Sequence, residues 1–198
     1  MKKAKTLIEF AGGESVPARL TDATIIVIDA QNEYFNGQLP LHDISQAVDK
    51  LSELLSRARK AGAPIIHVVH QGRAGGLFDL DGNGGKIIDR VLPSGETVIS
   101  KTLPNAFANT SLNTQLKALG NDSIIIAGFT THMCVSATAR AALELGYRTT
   151  VIADATATRA LPDPIGNGNI DPRDVHRVAL AELADRFAVV APLSDIVL

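Results

Sequence analysis

The sequence predicts an α/β protein: a three-layer α/β/α sandwich on a six-stranded parallel sheet, Rossmann-like, with strand order 3-2-1-4-5-6. Two observations predict it. Four short apolar runs rich in β-branched residues, at 24–28, 64–69, 123–127 and 149–153, are continuous rather than alternating, which suits strands buried on both faces. Segments of helical spacing lie between them, so strand and helix alternate along the chain, as right-handed crossovers require.

Taken in order, the first strand ends at Ile28 and leads to Asp29. The helix at 45–61 follows, with Val48, Leu51, Leu54, Leu55 and Ala58 at spacings of three and four. Asp43 or Ser45 is expected to cap it, and Gly62 followed by Pro64 to stop it. After the second strand, a glycine-rich stretch at 73–86 reads as a mobile loop, with Arg73 at its start, forming a lid or reaching a neighbouring subunit. A weaker run at 97–100 adds a third strand. Helices at 112–119 and 135–145 end in Gly120 and Gly146, and flank the fourth strand. A loop at 163–171, a helix at 172–186 and a last weak strand at 187–190 complete one domain over 1–198.

Composition excludes several function classes. With 19 basic and 21 acidic residues the net charge is −2, which offers no broad footprint for nucleic acid or an anionic membrane. No apolar run approaches the roughly 20 residues of a membrane span. The basic start at 1–5 resembles the flank of a signal peptide, but Glu9 interrupts the apolar region that should follow, and a cytoplasmic protein is expected. A single cysteine forms no internal disulfide.

Some motifs fail when carried through. Asp79 to Gly84 starts like a calcium loop, yet Arg90 stands where the bidentate Glu is needed. Gly85-Lys86 ends like a phosphate loop, but Leu80 replaces the first glycine and no Ser or Thr follows. His67 and His70 lie three apart on a strand and face opposite sides, so His67 reads as a packed core residue and His70 as a candidate for the crevice. His42 and His176 read as structural, and no metal or other cofactor is predicted.

One constellation survives. In doubly wound sheets the ligand crevice opens at the carboxyl ends of the two strands flanking the switch point, here the first and the fourth. Asp29 follows the first of these strands and Cys134 follows the fourth, in what should be the first turn of a helix. Taken alone, Asp29 reads equally well as a turn cap and Cys134 as an inert core thiol; their shared location favours chemistry. The helix dipole, and Lys101 if it reaches the crevice, should lower the thiol pKa. Nucleophile, base and electrostatic organiser form the minimum set for covalent catalysis at an acyl carbon.

These segments resemble the isochorismatase-like cysteine hydrolases, the superfamily of nicotinamidases, N-carbamoylsarcosine amidases and isochorismatases. The resemblance runs over nearly the whole chain: Asp29-x-Gln31, Lys101 with Asn105-Ala106-Phe107, Gly128-x-Thr130 with Cys134-Val135, then Asp154-Ala155 and His176. Each piece is weak alone; together and in order they are specific. The resemblance implies an Asp29, Lys101, Cys134 triad, a cis Phe129–Thr130 peptide, and an oxyanion hole made by the Thr130 and Cys134 amides. Gln31, Phe35, Phe107 and His132 flank the triad positions and are expected around a small-molecule substrate. The Asp-x-His cluster of the family's metal-binding nicotinamidases is absent at His70-Gln71-Gly72-Arg73, which argues against zinc-assisted nicotinamide binding. Family members are commonly oligomers, so a homo-oligomer is expected. Because isochorismatases proper usually lack the cysteine, Cys134 implies carbon–nitrogen bond hydrolysis. Ether cleavage with Asp29 as the acid is the alternative, and a noncatalytic thiol-bearing binding protein the third reading.

Overall fold

The computed structural model describes residues 4–198, so the 1–3 portion of the basic amino-terminal flank lies outside the described residues. The strands are β1 (Ala23–Ile28), β2 (Ile65–His70), β3 (Thr97–Lys101), β4 (Ser123–Phe129), β5 (Arg148–Ala157), β6 (Leu161–Pro162), β7 (Asn169–Ile170) and β8 (Val189–Ala191). The helices are α1 (Leu7–Phe10), α2 (Asn32–Phe35), α3 (Ile44–Ala61), α4 (Leu112–Leu119), α5 (Ser136–Glu144) and α6 (Pro172–Arg186). Six strands form one sheet in the order β3-β2-β1-β4-β5-β8, every pair parallel. This is the expected doubly wound order, with β8 as its sixth strand.

β1 shows why the apolar runs do not alternate. Its Ile25 and Val27 pack with Val48, Leu51, Leu54 and Leu55 of α3 on one face of the sheet. Ile26 and Ile28 pack on the other face with Leu116 of α4, Ala139 of α5 and Leu183 of α6. A strand that feeds two cores has no polar face. Truncating Leu51 or Leu54, both fully buried, should cost about 2–5 kcal/mol through lost burial and the cavity left behind.

Several local expectations are corrected. α3 starts after Asp43, which adopts a left-handed conformation and makes no side-chain cap; its carboxylate instead meets His42 at 3.0 Å. The stop at Gly62 is as expected, with a left-handed φ of 69°. β5 runs on to Ala157 because its pairing with β4 shifts register between Ile126 and Gly128, so Asp154 and Ala155 lie inside the strand rather than after it. Asp154 accepts the Leu193 N–H there at 2.8 Å.

Neither glycine-rich stretch is a loose loop. Residues 84–88 lie along the segment after β1, through Asn32 N–H to Lys86 O, Glu33 N–H to Gly84 O and Ile88 N–H to Ala30 O, all 2.9 Å. Phe78 of the same stretch is buried in the first core. Residues 161–170 form the antiparallel β6–β7 ribbon, with the Asp163 carboxylate accepting from Ile165 and Gly166. No helix among the described residues is long and apolar enough to cross a membrane.

Candidate active site

The site forms where β1 and β4 lie side by side and their following chains part. Gly128 lets the two strands approach: it has φ +109°, and a Cβ there would fall 2.0 Å from Ile28 O. Asp29 has a left-handed φ of 48°, unusual for a residue other than glycine, and is fully buried. Its backbone remains tied to the sheet through its N–H to Val68 O and its carbonyl to Gln31 N–H, both 2.8 Å.

Lys101 ends β3, two strands away, and its aliphatic stem brings the ammonium back to the centre. Its Nζ lies 2.7 Å from Asp29 Oδ2, 3.4 Å from Cys134 Sγ and 3.4 Å from His70 Nδ1. An ammonium has three N–H donors, and here each has an acceptor. The Asp29–Lys101 pair is completely shielded from solvent, while Asp29 Oδ1 is buried with no hydrogen-bond partner among the described residues.

Cys134 sits on a π-helical turn, Thr131–Val135, that runs into α5 rather than in the first turn of α5 itself. The Phe129–Thr130 peptide before it is cis, as expected. Two side-chain clasps hold the turn: Thr131 Oγ1 to His176 Nδ1 at 2.9 Å, and His132 Nδ1 to Thr158 Oγ1. His176, expected to be structural, thus fastens α6 to the cysteine turn. His132 lies on the same turn, with its ring directed to Thr158 and its buried Nε2 unpartnered among the described residues.

The electrostatics reverse one expectation. Burial and the Asp29 charge push the Cys134 thiol up to about 12, and Lys101 counters this only in part. Burial likewise raises Asp29, against the pull of Lys101. Burial therefore favours the neutral thiol of Cys134 and makes Asp29 a stronger base than an ordinary Asp.

Three of the residues expected around a substrate are engaged elsewhere. Gln31 is fully buried and its amide is taken up by His70 N–H and O and by Gly85 O, at 2.8–2.9 Å, so it clamps the end of β2 to the 73–86 segment. Phe35 packs at the edge of the first core under the Arg90 guanidinium, 5.2 Å from its ring centre. Phe107 packs in the second core and stacks on Tyr147, with centroids 5.9 Å apart and planes at 15°.

Tyr34, not singled out in the sequence, comes to the site, and so does His70, the crevice candidate. The Tyr34 ring packs edge-on to Phe78 at 4.9 Å, and its phenol is held well above its ordinary range by burial, then by the charges of Cys134 and Asp29. Phe35 stands one position further along α2, about 100° around the helix, so the two aromatics meet different neighbours. His70 joins the site through Lys101; its place at the end of β2, opposite in face to His67, was the available signal. Among the described residues no three His, Cys, Asp or Glu side chains converge as a metal site would require.

A parallel doubly wound sheet with a buried carboxylate, ammonium and thiol at its switch point defines a class of α/β enzymes that work at the carboxyl edge of the sheet. Within that class the chain belongs to the isochorismatase domain family, whose model matches residues 23–195, and it is a hydrolase of that family. It is similar to the crystal structure of an isochorismatase from Pseudomonas putida KT2440, with a TM-score of 0.94 and 43% identity, covering 98% of this chain and 100% of that one. It is also 37% identical over 181 residues to the secreted isochorismatase effector Isc1 of Verticillium dahliae, covering 90% of this chain and 92% of that protein. Maleamate amidohydrolase of Pseudomonas putida is 28% identical over 189 residues, covering 86% of this chain and 83% of that protein.

Proposed function

We propose that the protein is a cysteine amidase that cleaves a carbon–nitrogen bond, amide or carbamoyl, of a small molecule through a thioester. The observation that supports this most is the contact of one ammonium with both Asp29 and Cys134 in a fully buried setting, with Asp29 Oδ1 left without a partner. A buried ion pair contributes little to stability compared with apolar packing, which supports a chemical role for this one. The amidohydrolase among the relatives supports the same bond type.

Asp29 takes the Cys134 proton as the thiolate attacks the carbonyl carbon, and Lys101 steadies the negative charge through both steps. The oxyanion rests on the backbone N–H groups of Thr130 and Cys134, at the start of a helical turn where amides are left unpaired. Asp29 then returns the proton to the departing nitrogen, ammonia or an amine leaves, and the acyl group stays on sulfur. Water, deprotonated by Asp29, hydrolyses the thioester and restores the thiol. His132 and Tyr34 stand around the reacting group. Assembly into a homo-oligomer, which the family resemblance implies, is measured by light scattering.

The raised Asp29 pKa also suits a second reading, ether cleavage with Asp29 as the acid and the thiol a bystander. Product release from a panel of small amides and carbamoyl compounds, run beside Cys134→Ala and with a chelator present, separates the two. Release that needs Cys134 and ignores the chelator is the expected result; undiminished turnover by the variant sinks the thioester mechanism.

A further inference from the structure

Asp29 and Cys134 stand beyond the carboxyl ends of β1 and β4. At the opposite, amino edge of the sheet, about 20 Å down the strands, lies a separate recess of about 460 Å³. Its origin is a difference in strand length. Pairing of β5 with β8 begins at Thr150 and Val189, so Arg148 and Thr149 start β5 before β8 runs beside it. The end of α6 and the 14–19 segment wall off the gap, and Ala18 N–H ties that segment to Thr150 Oγ1 at 2.9 Å.

Three cations stand on the wall: Arg19 in the 14–19 segment, Arg148 at the first position of β5 and Arg186 at the last of α6. They are far apart in sequence and converge only through the fold. All three are exposed, and none of their guanidinium groups has a hydrogen-bond or ion-pair partner among the described residues. Five other arginines each meet a carboxylate: Arg59 with Glu96, Arg90 with Asp49, Arg140 with Glu182, Arg173 with Asp171 and Arg177 with Asp174. Two carboxylates, Glu14 and Asp22, also line the recess, but neither forms an ion pair with its arginines, and Asp22 accepts the Thr21 hydroxyl at 3.0 Å.

The floor is polar as well. Ser123 and Thr149 are 6% and 5% exposed, and neither hydroxyl has a hydrogen-bond partner among the described residues. Buried hydroxyls are nearly always satisfied, because leaving one unpaired is costly. Exposed arginines alone are ordinary solvated charges. Here three unpaired guanidinium groups share one concavity with two unpaired hydroxyls, a set of donors suited to an oxyanion.

We propose that this recess binds a phosphate group carried by a small molecule, with Arg19, Arg148 and Arg186 pairing its charge and the Ser123 and Thr149 hydroxyls donating to its oxygens. Guanidinium forks match phosphate geometry through paired N–H bonds. The concave shape, on a chain of net charge −2, selects a discrete anion over a nucleic-acid backbone, which needs an extended basic surface. The site is separate from the catalytic one and stands whatever bond that one cleaves.

Isothermal titration of the full-length protein with sodium pyrophosphate, at ionic strength held constant with sodium chloride, tests the site. The wild type should bind with a dissociation constant on the order of 1 mM or tighter. Arg148→Gln combined with Arg186→Gln should weaken binding by about tenfold or more, and Thr149→Val by about threefold. Arg19→Gln, a single change in an exposed segment, should also weaken it by about threefold or more, which covers a double variant that fails to fold. Arg73→Gln, at the carboxyl edge, should bind as the wild type does. Pyrophosphate should raise the Tm of the wild type and not that of the double variant. No heat beyond that of a sodium chloride control, or affinity unchanged in the arginine variants, overturns the site. Binding lost in Arg73→Gln and kept in the double variant places the anion at the other edge and overturns it as well.

Discussion

Strand β3 carries an ion pair at each end, and the two are built differently. Before its first residue, Glu96 meets Arg59 of α3 at 2.7 Å, with side chains 13% and 36% exposed. At its last residue, Lys101 meets Asp29 at the same distance with both side chains at 0%. Around Glu96, partial burial opposes ionisation, yet the Arg59 bond and nearby backbone amides hold the carboxyl down to about 2. Around Asp29 burial wins and the carboxyl is raised. The first pair is a wet tie between a helix and a strand; the second is held dry beside the Cys134 thiol. The difference teaches that two ion pairs of equal length can have opposite effects on a carboxyl group, because desolvation decides which effect wins.

Removing the chemical end of the comparison should have the largest effect. Cys134→Ala and Asp29→Asn should each lower amide turnover by roughly 10³-fold or more while leaving the circular dichroism spectrum intact. Retained turnover in either variant would contradict the roles assigned above.

Next in size is the cost of splitting the dry pair. Lys101→Met leaves a buried carboxylate uncompensated and should destabilise the fold by about 3–5 kcal/mol in urea titration. Adding Asp29→Asn should restore most of that stability and none of the activity. Should the double variant remain as unstable as the single one, uncompensated charge is not the cause.

The two histidines of β2 extend the contrast. His67 is buried with Nε2 unpartnered among the described residues, and burial lowers it to about 4, against 6.5 when unfolded. The folded state therefore excludes a proton that the unfolded chain accepts. Its contribution is full above pH 6.5 and is lost as pH falls towards 4. The loss is about 3 kcal/mol, and His67→Leu should flatten that part of the pH–stability curve. An unchanged curve would show that His67 is not the group responsible.

Smallest is the wet pair. Glu96→Gln should cost about 1 kcal/mol or less and leave kcat/KM unchanged. A loss of several kcal/mol would mean that the pair at the start of β3 is as critical as the one at its end.

The fold was legible because two-sided burial leaves a mark that survives without an alignment: Ile25 to Ile28 have no polar face, and Gly62, Gly120 and Gly146 punctuate the helices. The meeting of Asp29 and Cys134 was legible because both follow the strands at the switch point, where the crevice opens; Lys101, at the end of β3, joined them in the sequence only through the family resemblance. Side-chain direction beyond those ends was not legible. Phe35 and Phe107 were chosen for proximity in sequence, yet a short helix and a core stack direct them to Arg90 and Tyr147. Gln31 looked available because the backbone groups it clamps, in His70 and Gly85, come from distant segments. The thiol pKa went the wrong way because a helix terminus can be read from sequence, whereas the desolvation produced by a closed tertiary shell cannot.

The measurement closest to the central claim is mass spectrometry of enzyme quenched in acid during turnover of a hydrolysed amide. A mass increase on the peptide bearing Cys134, equal to the acyl group and absent from Cys134→Ala, is the predicted result. Steady turnover with Cys134 unmodified, together with an active Cys134→Ala enzyme, would contradict it.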